Sequence, residues 1–330
     1  MVEQQLRRPH KLLVLTWLLL IFGGGIALSA CDVLYRKTPS PDPSALTDTP
    51  SPLPSATLTA LPQASATPSQ TPEPLAALVN NEAITLAEFQ AELARFQVAR
   101  QTLPAAPAAP GINLATDTDV QKFVLDELIN QRLLAQAAYA SGFTLSQETL
   151  QARLDGLTAQ IGGADAMQSW MTANQYDTAS FQAALARSIA VAWMRDQIAV
   201  GVPNTAEQIH ARQILLYNLE DANQVLAQLQ SGRDFADLAF TYDPAAGGEL
   251  GWFPRGYLTE PELENAAFQL EAGAYTGVIQ TSLGFHILQV IEREAERPLE
   301  PDARFVLQEN ALRDWLQAQW AQSNIQISLP

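Results

Sequence analysis

Alternating apolar and polar positions predict two strands in the second half of the chain. The first runs from His210 to Leu216 and is rich in apolar residues, and the second runs from Gly284 to Val290. Between them, apolar residues recur at helical spacing in three segments, 222–229, 234–240 and 261–270. A glycine-rich turn lies at residues 247–253, and the whole order of strand, helix, helix, strand, helix and strand pair predicts a small α+β unit.

The first half of the chain has a helical pattern preceded by a short strand. Leu78 to Ile84 is predicted to be a strand and turn, and Thr85-Leu86-Ala87-Glu88 has the form of a capping box at a helix start. Further helical patterns lie at 119–140, 147–161, 164–173 and 178–198. The stretch from Pro104 to Pro110 breaks the pattern, so we expect a surface excursion there.

The end of the chain has an amphipathic helical pattern from Ala303 to Trp320 and an alternating strand from Asn324 to Leu329. That strand has no partner in its own neighbourhood, so we expect it to pair with Leu78 to Ala83. The α+β unit, residues 203–298, would then be inserted into a mostly helical domain formed by both chain ends, residues 75–202 with 299–330.

The N-terminus has the layout of a secretory signal. Basic residues precede an apolar run from Leu12 to Phe22, and small residues follow. Leu28-Ser29-Ala30-Cys31 looks like a bacterial lipoprotein box, and Cys31 is the chain's single cysteine. The resemblance implies that residues 1–30 are a signal peptide and that Cys31 carries lipid. The alternative is an uncleaved membrane anchor with a buried cysteine.

Residues 31–74 have the composition of a tether. Ten of the chain's 21 prolines fall between Pro39 and Pro74, interleaved with serine and threonine. Such a segment cannot bury enough apolar surface to offset its ordering entropy, so we expect a disordered, partly polyproline II tether. It would carry the folded part away from a membrane surface. A spacer without a specific length fits the composition equally well.

Charge and composition exclude several other classes of function. The net charge of −16 argues against nucleic acid as a partner, because phosphate binding needs a basic surface. One cysteine excludes an internal disulfide framework, and three scattered histidines give no metal cluster. The Gly-Gly turn lacks the lysine of a phosphate-binding loop. We therefore expect neither a metal nor a cofactor.

Six pieces of the second half resemble, in the same order, the parvulin family of peptidyl-prolyl cis-trans isomerases. They are Ala-Arg-x-Ile-Leu at 211–215, Gly-Arg-Asp-Phe-Ala-Asp-Leu-Ala at 232–239, Gly-Gly-Glu-Leu-Gly-Trp-Phe at 247–253, Arg-Gly at 255–256, Glu-Asn-Ala-Ala-Phe at 264–268 and Gly-Phe-His-Ile at 284–287. Residues 75–200 resemble, more loosely, the helical domain of extracytoplasmic parvulin chaperones. The resemblance implies a parvulin fold and polypeptide clients that are unfolded or contain proline.

The parvulin resemblance also implies a site. Four apolar residues match the family's proline pocket, although core packing explains apolar residues at such positions as well. They are Leu250, Leu258, Leu263 and Phe268, and core packing is the preferred interpretation for Phe268. His286 matches an active-site histidine and Thr281 a nearby hydroxyl. Asp243 takes the family's acidic or cysteine position.

The chain departs from the family pattern in three places. The strand histidine that accompanies His286 in the family is Gln213 here. The loop from Tyr242 to Gly247 is shorter, and the segment from Leu258 to Leu263 has an extra residue. His210 lies three positions before Gln213, which puts it on the opposite face of a strand and makes it a poor substitute.

These features favour a foldase, lipid-anchored on the extracytoplasmic face of the cell membrane, that isomerises X-Pro bonds in secreted or envelope proteins, with Gln213 weakening its activity. The alternative is a holdase chaperone whose helical domain binds unfolded clients while a degenerate parvulin unit contributes little or no catalysis. A scaffold lipoprotein without clients is a third, weaker hypothesis. Turnover of a short X-Pro peptide distinguishes the first from the others.

Overall fold

The computed structural model describes residues 73–102 and 114–329. The predicted signal peptide, Cys31, nearly all of the expected tether and the segment from Pro104 to Pro110 lie outside the described residues. In chain order the elements are β1 (Leu75–Val79), β2 (Glu82–Thr85), α1 (Leu86–Thr102), α2 (Asp117–Ala140), α3 (Gln147–Ile161), α4 (Ala164–Ala173), α5 (Thr178–Val200), β3 (Thr205–Leu216), α6 (Leu219–Gln230), α7 (Phe235–Tyr242), β4 (Glu249–Pro254), α8 (Pro261–Ala267), β5 (Ile279–Thr281), β6 (Gly284–Pro298), α9 (Pro301–Gln322) and β7 (Ile325–Ile327). In these two ranges, no helix combines the length and the apolar character needed to cross a membrane.

The first and last strands of the described residues meet in a three-stranded antiparallel sheet of order β2-β1-β7. β7 pairs with Ala77, Leu78 and Val79 of β1, which confirms the expected partnership between the last strand and the first. The paired segment ends at Val79, however, and does not continue to Ala83 as predicted, because the chain reverses at Asn80-Asn81. The residues beyond this turn form β2 on the other edge of β1. Both asparagines have positive φ (48° and 71°), which suits a two-residue hairpin.

A charged cluster centred on a buried arginine joins this sheet to the helices. Arg132 of α2 is 2% exposed. Its Nη2 donates to Glu88 Oε2 at 2.7 Å, and its Nε lies 2.8 Å from Glu82 Oε1 as an ion pair without an aligned hydrogen bond. Arg187 of α5 binds the other oxygen of Glu88 at 2.8 Å. Four elements, β2, α1, α2 and α5, are therefore held at one point.

The second sheet has the antiparallel order β4-β3-β6-β5, and helices cover both of its faces. The predicted order of strand, helix, helix, strand, helix and strand pair is present with shifted ends, and β5 and β6 form the final pair. On one face, Ile214 and Ile287 pack with α6 and α7. On the other, Ala211, Leu288 and Val290 pack with α8 and the first turns of α9, in a cluster that we call the α8-side core.

α9 spans the two parts of the molecule. Near its start, Ala303 and Val306 belong to the α8-side core. Farther along, Leu312 and Trp315 pack against the helices α2 and α5. Near its end, Trp320 donates its indole N–H to Asn130 of α2 at 2.7 Å. One continuous helix therefore contacts both hydrophobic cores.

Candidate active site

Three strands bring a chain of polar side chains together on the face of the sheet that carries the α8-side core. Register pairs Leu215 with His286 and Gln213 with Leu288, so Gln213 and His286 are diagonal neighbours on one face. His286 Nδ1 lies 2.8 Å from Gln213 Oε1. On the other side of the ring, His286 Nε2 lies 2.8 Å from the hydroxyl of Thr281 on β5. The structure thus brings together three of the four residues predicted from the sequence to be catalytic, and Asp243 is the fourth.

His286 is electrically neutral at physiological pH. Its side chain is fully buried, and desolvation lowers its pKa from 6.5 to about 4. Because the amide oxygen of Gln213 can only accept, it assigns the ring proton to Nδ1, and Nε2 then accepts from the Thr281 hydroxyl. Thr281 Oγ1 in turn accepts from the Leu283 N–H at 3.0 Å. The result is a directed hydrogen-bond chain with one tautomer.

Asp243 lies close to this chain but its carboxylate holds a turn. It follows α7, and its two oxygens accept from the N–H groups of Ala246 and Gly248, both at 3.2 Å. Gly248 (φ +70°) presses against β3, where a Cβ would come within 1.8 Å of the Gln213 carbonyl oxygen. Gln213 N–H also donates to Gly248 O at 2.8 Å. Asp243 therefore fixes the glycine that lies against Gln213.

A cavity of about 110 Å³ is lined by Asp243 and by residues at the end of β3. Gln213 and Leu215 form one wall, and Tyr242 and Tyr217 contribute to its lining. Both tyrosines are well exposed, Tyr217 at 78%. Neither tyrosine could be assigned to the site from the sequence, because single exposed aromatic residues at strand and helix ends have no distinguishing pattern.

The four apolar candidates lie together in the α8-side core, on the same sheet face as His286. Leu250, Leu258, Leu263 and Phe268 are each at most 5% exposed. Phe268 packs edge-to-face on Phe253, with ring centroids 6.1 Å apart, as its core interpretation requires. The other three share the packing of a core, and partly buried Leu283 joins the cluster to the backbone beside Thr281.

His210 lies away from the polar chain, as its spacing predicted. Burial alternates along β3 from Ile209 to Gln213, with Ile209 and Ala211 in the α8-side core and His210 only half-buried. Its Nε2 lies 2.9 Å from Glu249 Oε2, and its ring stacks on Trp252 with centroids 5.4 Å apart. It therefore provides a natural control for histidine substitutions at the site.

Comparison with known proteins assigns the class. Residues 199–294 match the model of the PPIC-type PPIASE domain, and residues 60–195 match that of the SurA-like N-terminal domain. The chain therefore carries a parvulin-class peptidyl-prolyl isomerase domain preceded by a SurA-like helical segment. The foldase protein PrsA of Halalkalibacterium halodurans is 30% identical over 235 residues, covering 62% of this chain and 68% of that protein. The chain belongs to the PrsA foldase family.

Other relatives match over shorter or more divergent stretches. PrsA of Geobacillus sp. (strain WCH70) is 36% identical over 100 residues, which cover 29% of this chain and 36% of that protein. This alignment therefore spans only about a third of the relative's length. The crystal structure of the peptidylprolyl isomerase PrsA from Bacillus cereus has 19% identity, covers 76% of this chain and 87% of that one, and superposes with a TM-score of 0.40.

Proposed function

We propose that this chain is an extracytoplasmic foldase that isomerises X-Pro peptide bonds in unfolded polypeptide clients. The observation that carries the proposal is the buried, neutral His286, held at both ring nitrogens on the sheet face that bears Leu250, Leu258 and Leu263. The PPIC-type domain and the foldase relatives support it.

The reaction needs no nucleophile, metal or cofactor. Amide resonance sets the barrier, and an uncatalysed X-Pro bond isomerises in tens to hundreds of seconds. A site accelerates the reaction when it binds the twisted amide better than either planar form. An apolar surface disfavours the charge-separated planar amide, and a preorganised polar chain stabilises the twisted one. Both elements lie on one face of the sheet.

Each residue has a distinct part in this proposal. His286 is the proposed catalytic residue, and Gln213 and Thr281 fix its tautomer and orientation. Leu250, Leu258 and Leu263 desolvate the proline ring, with Phe268 supporting them from the core. Asp243 acts indirectly, because it holds the turn that contacts Gln213.

An exchange assay on a proline-containing peptide tests the proposal with the full-length chain. We expect catalysis above background, and His286→Ala should lower kcat/KM roughly ten- to hundredfold, because it leaves one or two buried partners unpaired. His210→Ala is the matched control, since His210 lies on the opposite sheet face. Absence of catalysis in the wild type, or equal losses in the two variants, contradicts the isomerase proposal.

A holdase is the second candidate. The near-complete burial of Leu250, Leu258 and Leu263 favours it, as does Gln213 in place of a histidine. The SurA-like segment supports client binding outside the isomerase domain. A holdase without isomerase activity would suppress aggregation of an unfolded protein equally well as wild type and as His286→Ala. If the chain shows neither suppression nor turnover, the scaffold hypothesis replaces both.

Lipid anchoring is part of the proposal. The lipoprotein box at Leu28 to Cys31 and the proline-rich composition behind it support a lipid on Cys31 and a tether over 31–74. Stable anchoring needs more than one acyl chain, because a single chain binds membranes only marginally. Fatty-acid labelling of cells tests this directly. If Cys31→Ala still takes up label and still fractionates with membranes, the anchor is elsewhere.

The division into two domains is also part of the proposal. We take residues 203–298 as the isomerase domain and 75–202 with 299–330 as the helical domain. Pairing of β1 with β7 supports a helical domain closed by both ends. The contacts of α9 with the α8-side core show that packing continues across the boundary.

A further inference from the structure

The turn between β4 and α8 carries Leu258 into the α8-side core, and a buried carboxylate holds it. Glu264 of α8 is 9% exposed. Its oxygens accept from three consecutive N–H groups, those of Gly256 at 2.7 Å, Tyr257 at 2.9 Å and Leu258 at 3.1 Å. A carboxylate with three charge-assisted hydrogen bonds fixes the backbone of this turn on one side.

The opposite side of the same turn is held by α9. Asn310, also 9% exposed, donates from Nδ2 to the Gly256 carbonyl at 2.7 Å. Arg313 donates to Asn310 Oδ1 at 2.8 Å and so orients the amide. Gly256 has φ +84°, and a Cβ there would lie 3.0 Å from Asn310 Nδ2. The turn is therefore clamped between α8 and α9.

The clamp connects the isomerase domain to the helical domain. Asn310 lies between Val306, which packs in the α8-side core, and Leu312, which packs with α2 and α5. Because an α-helix is stiff over such a short distance, the position of α9 on the helical domain determines where Asn310 meets the turn.

From this geometry we propose that Asn310 and Glu264 are positioning residues for the substrate site, and that the helical domain sets the proline pocket through α9. The proposal rests on the pocket role of Leu258 given above. Neither residue reaches the reacting bond: Glu264 acts through the amides of residues 256–258, and Asn310 through the Gly256 carbonyl. A misplaced turn would weaken every bound form of the proline ring alike, so KM changes rather than kcat.

The matched control lies on the same helix. Gln308 also donates from its side-chain amide to a main-chain carbonyl, but the acceptor is Ala199 of α5, at 3.3 Å. In the full-length chain, Asn310→Ala should weaken binding of a labelled X-Pro peptide about fivefold, since one lost hydrogen bond is worth about that much. KM should rise by the same factor with kcat within about twofold. Gln308→Ala should leave peptide binding unchanged.

Two further measurements separate positioning from general destabilisation. Asn310→Asp keeps the shape of the side chain and removes the donor, so it should weaken peptide binding as Asn310→Ala does. Hydrogen exchange at the amides of residues 256–258 should accelerate in both variants and not in Gln308→Ala. Equal peptide affinity in wild type and both Asn310 variants overturns the proposal. Equal losses in Gln308→Ala overturn it too, because packing of α9 in general would then be responsible.

The outcome also distinguishes this proposal from the proposed function. If the wild-type chain binds the peptide without turnover, the isomerase proposal fails, and the affinities of the Asn310 variants still decide whether α9 positions the site. If the wild type does not bind the peptide at all, both proposals are wrong.

Discussion

Arg132 in the helical domain and His286 in the isomerase domain are both almost fully removed from solvent, but their surroundings differ in charge. Arg132 meets two glutamates within 2.8 Å, and a second arginine shares one of them. His286 meets only the neutral groups of Gln213 and Thr281. Charged side chains hold distant elements together when each is paired. A chain of hydrogen bonds between neutral side chains suits a reaction in which no charge is transferred.

The largest effect is expected from breaking the charged cluster. Arg132→Ala removes a buried guanidinium and its pairs with the partly exposed Glu82 and Glu88, so the free energy of unfolding should fall by about 3 kcal/mol, at about 1.5 kcal/mol for each charge-assisted pair. Chemical denaturation measures it. Lys122→Ala on the same helix removes an exposed i,i+4 pair with Asp126 and should change stability by only about 0.3–0.5 kcal/mol. Similar losses in the two variants would mean that the cluster contributes no more than a surface pair.

The next largest effect is expected from acid, which should lower stability by protonating His286, the residue between the neutral groups of Gln213 and Thr281. The folded-state pKa of His286, about 4, lies below the ordinary value of 6.5, so the unfolded chain binds the extra proton first. The resulting loss of stability begins as pH falls below 6.5 and amounts to about 2–3 kcal/mol at pH 4.5. His286→Gln should remove this part of the pH dependence, and His210→Ala should retain it. A His286→Gln variant with the wild-type slope contradicts the assignment.

Removing β7 tests whether the charged cluster can secure the first hairpin alone. Deletion of Ile325 to Pro330 removes three paired residues and the packing of Ile325, and should cost about 2 kcal/mol. Hydrogen exchange should accelerate in β1 and remain slow in β6 at Leu288. Unchanged protection from Leu78 to Phe96 would show that Arg132 and its partners are sufficient.

The smallest effect is expected on kcat/KM, and it tests the role of Gln213 beside His286. Gln213→His restores a group that can share a proton with His286, and kcat/KM should rise about tenfold. Gln208→His is the control, because Gln208 is a buried glutamine on the same strand whose amide donates to Arg297 O and Pro298 O of β6. If activity stays at background in wild type and in Gln213→His, the holdase proposal replaces the enzyme.

Some of this organisation could be predicted from the sequence and some could not. Alternation predicted β3 and β6, and the parvulin resemblance paired Gln213 with His286 across them. The sequence could not predict the partners of Arg132. A helical arginine has the same sequence pattern whether it meets solvent or a glutamate from a hairpin some fifty residues earlier. The role of Asn310 could not be predicted for the same reason, because its partner, Gly256, is 54 positions away.

The pairing of β1 with β7 imposes an order on folding during synthesis. Asn80 hydrogen-bonds to Asn324, 244 positions later in the chain. A chain that emerges from its N-terminus presents β1 long before β7, whereas every strand of the second sheet lies between Thr205 and Pro298. Because domains fold as units during synthesis, the isomerase domain can complete its sheet first. The helical domain, although it starts earlier, finishes last, and until then the free edge of β1 is open to any extended strand nearby.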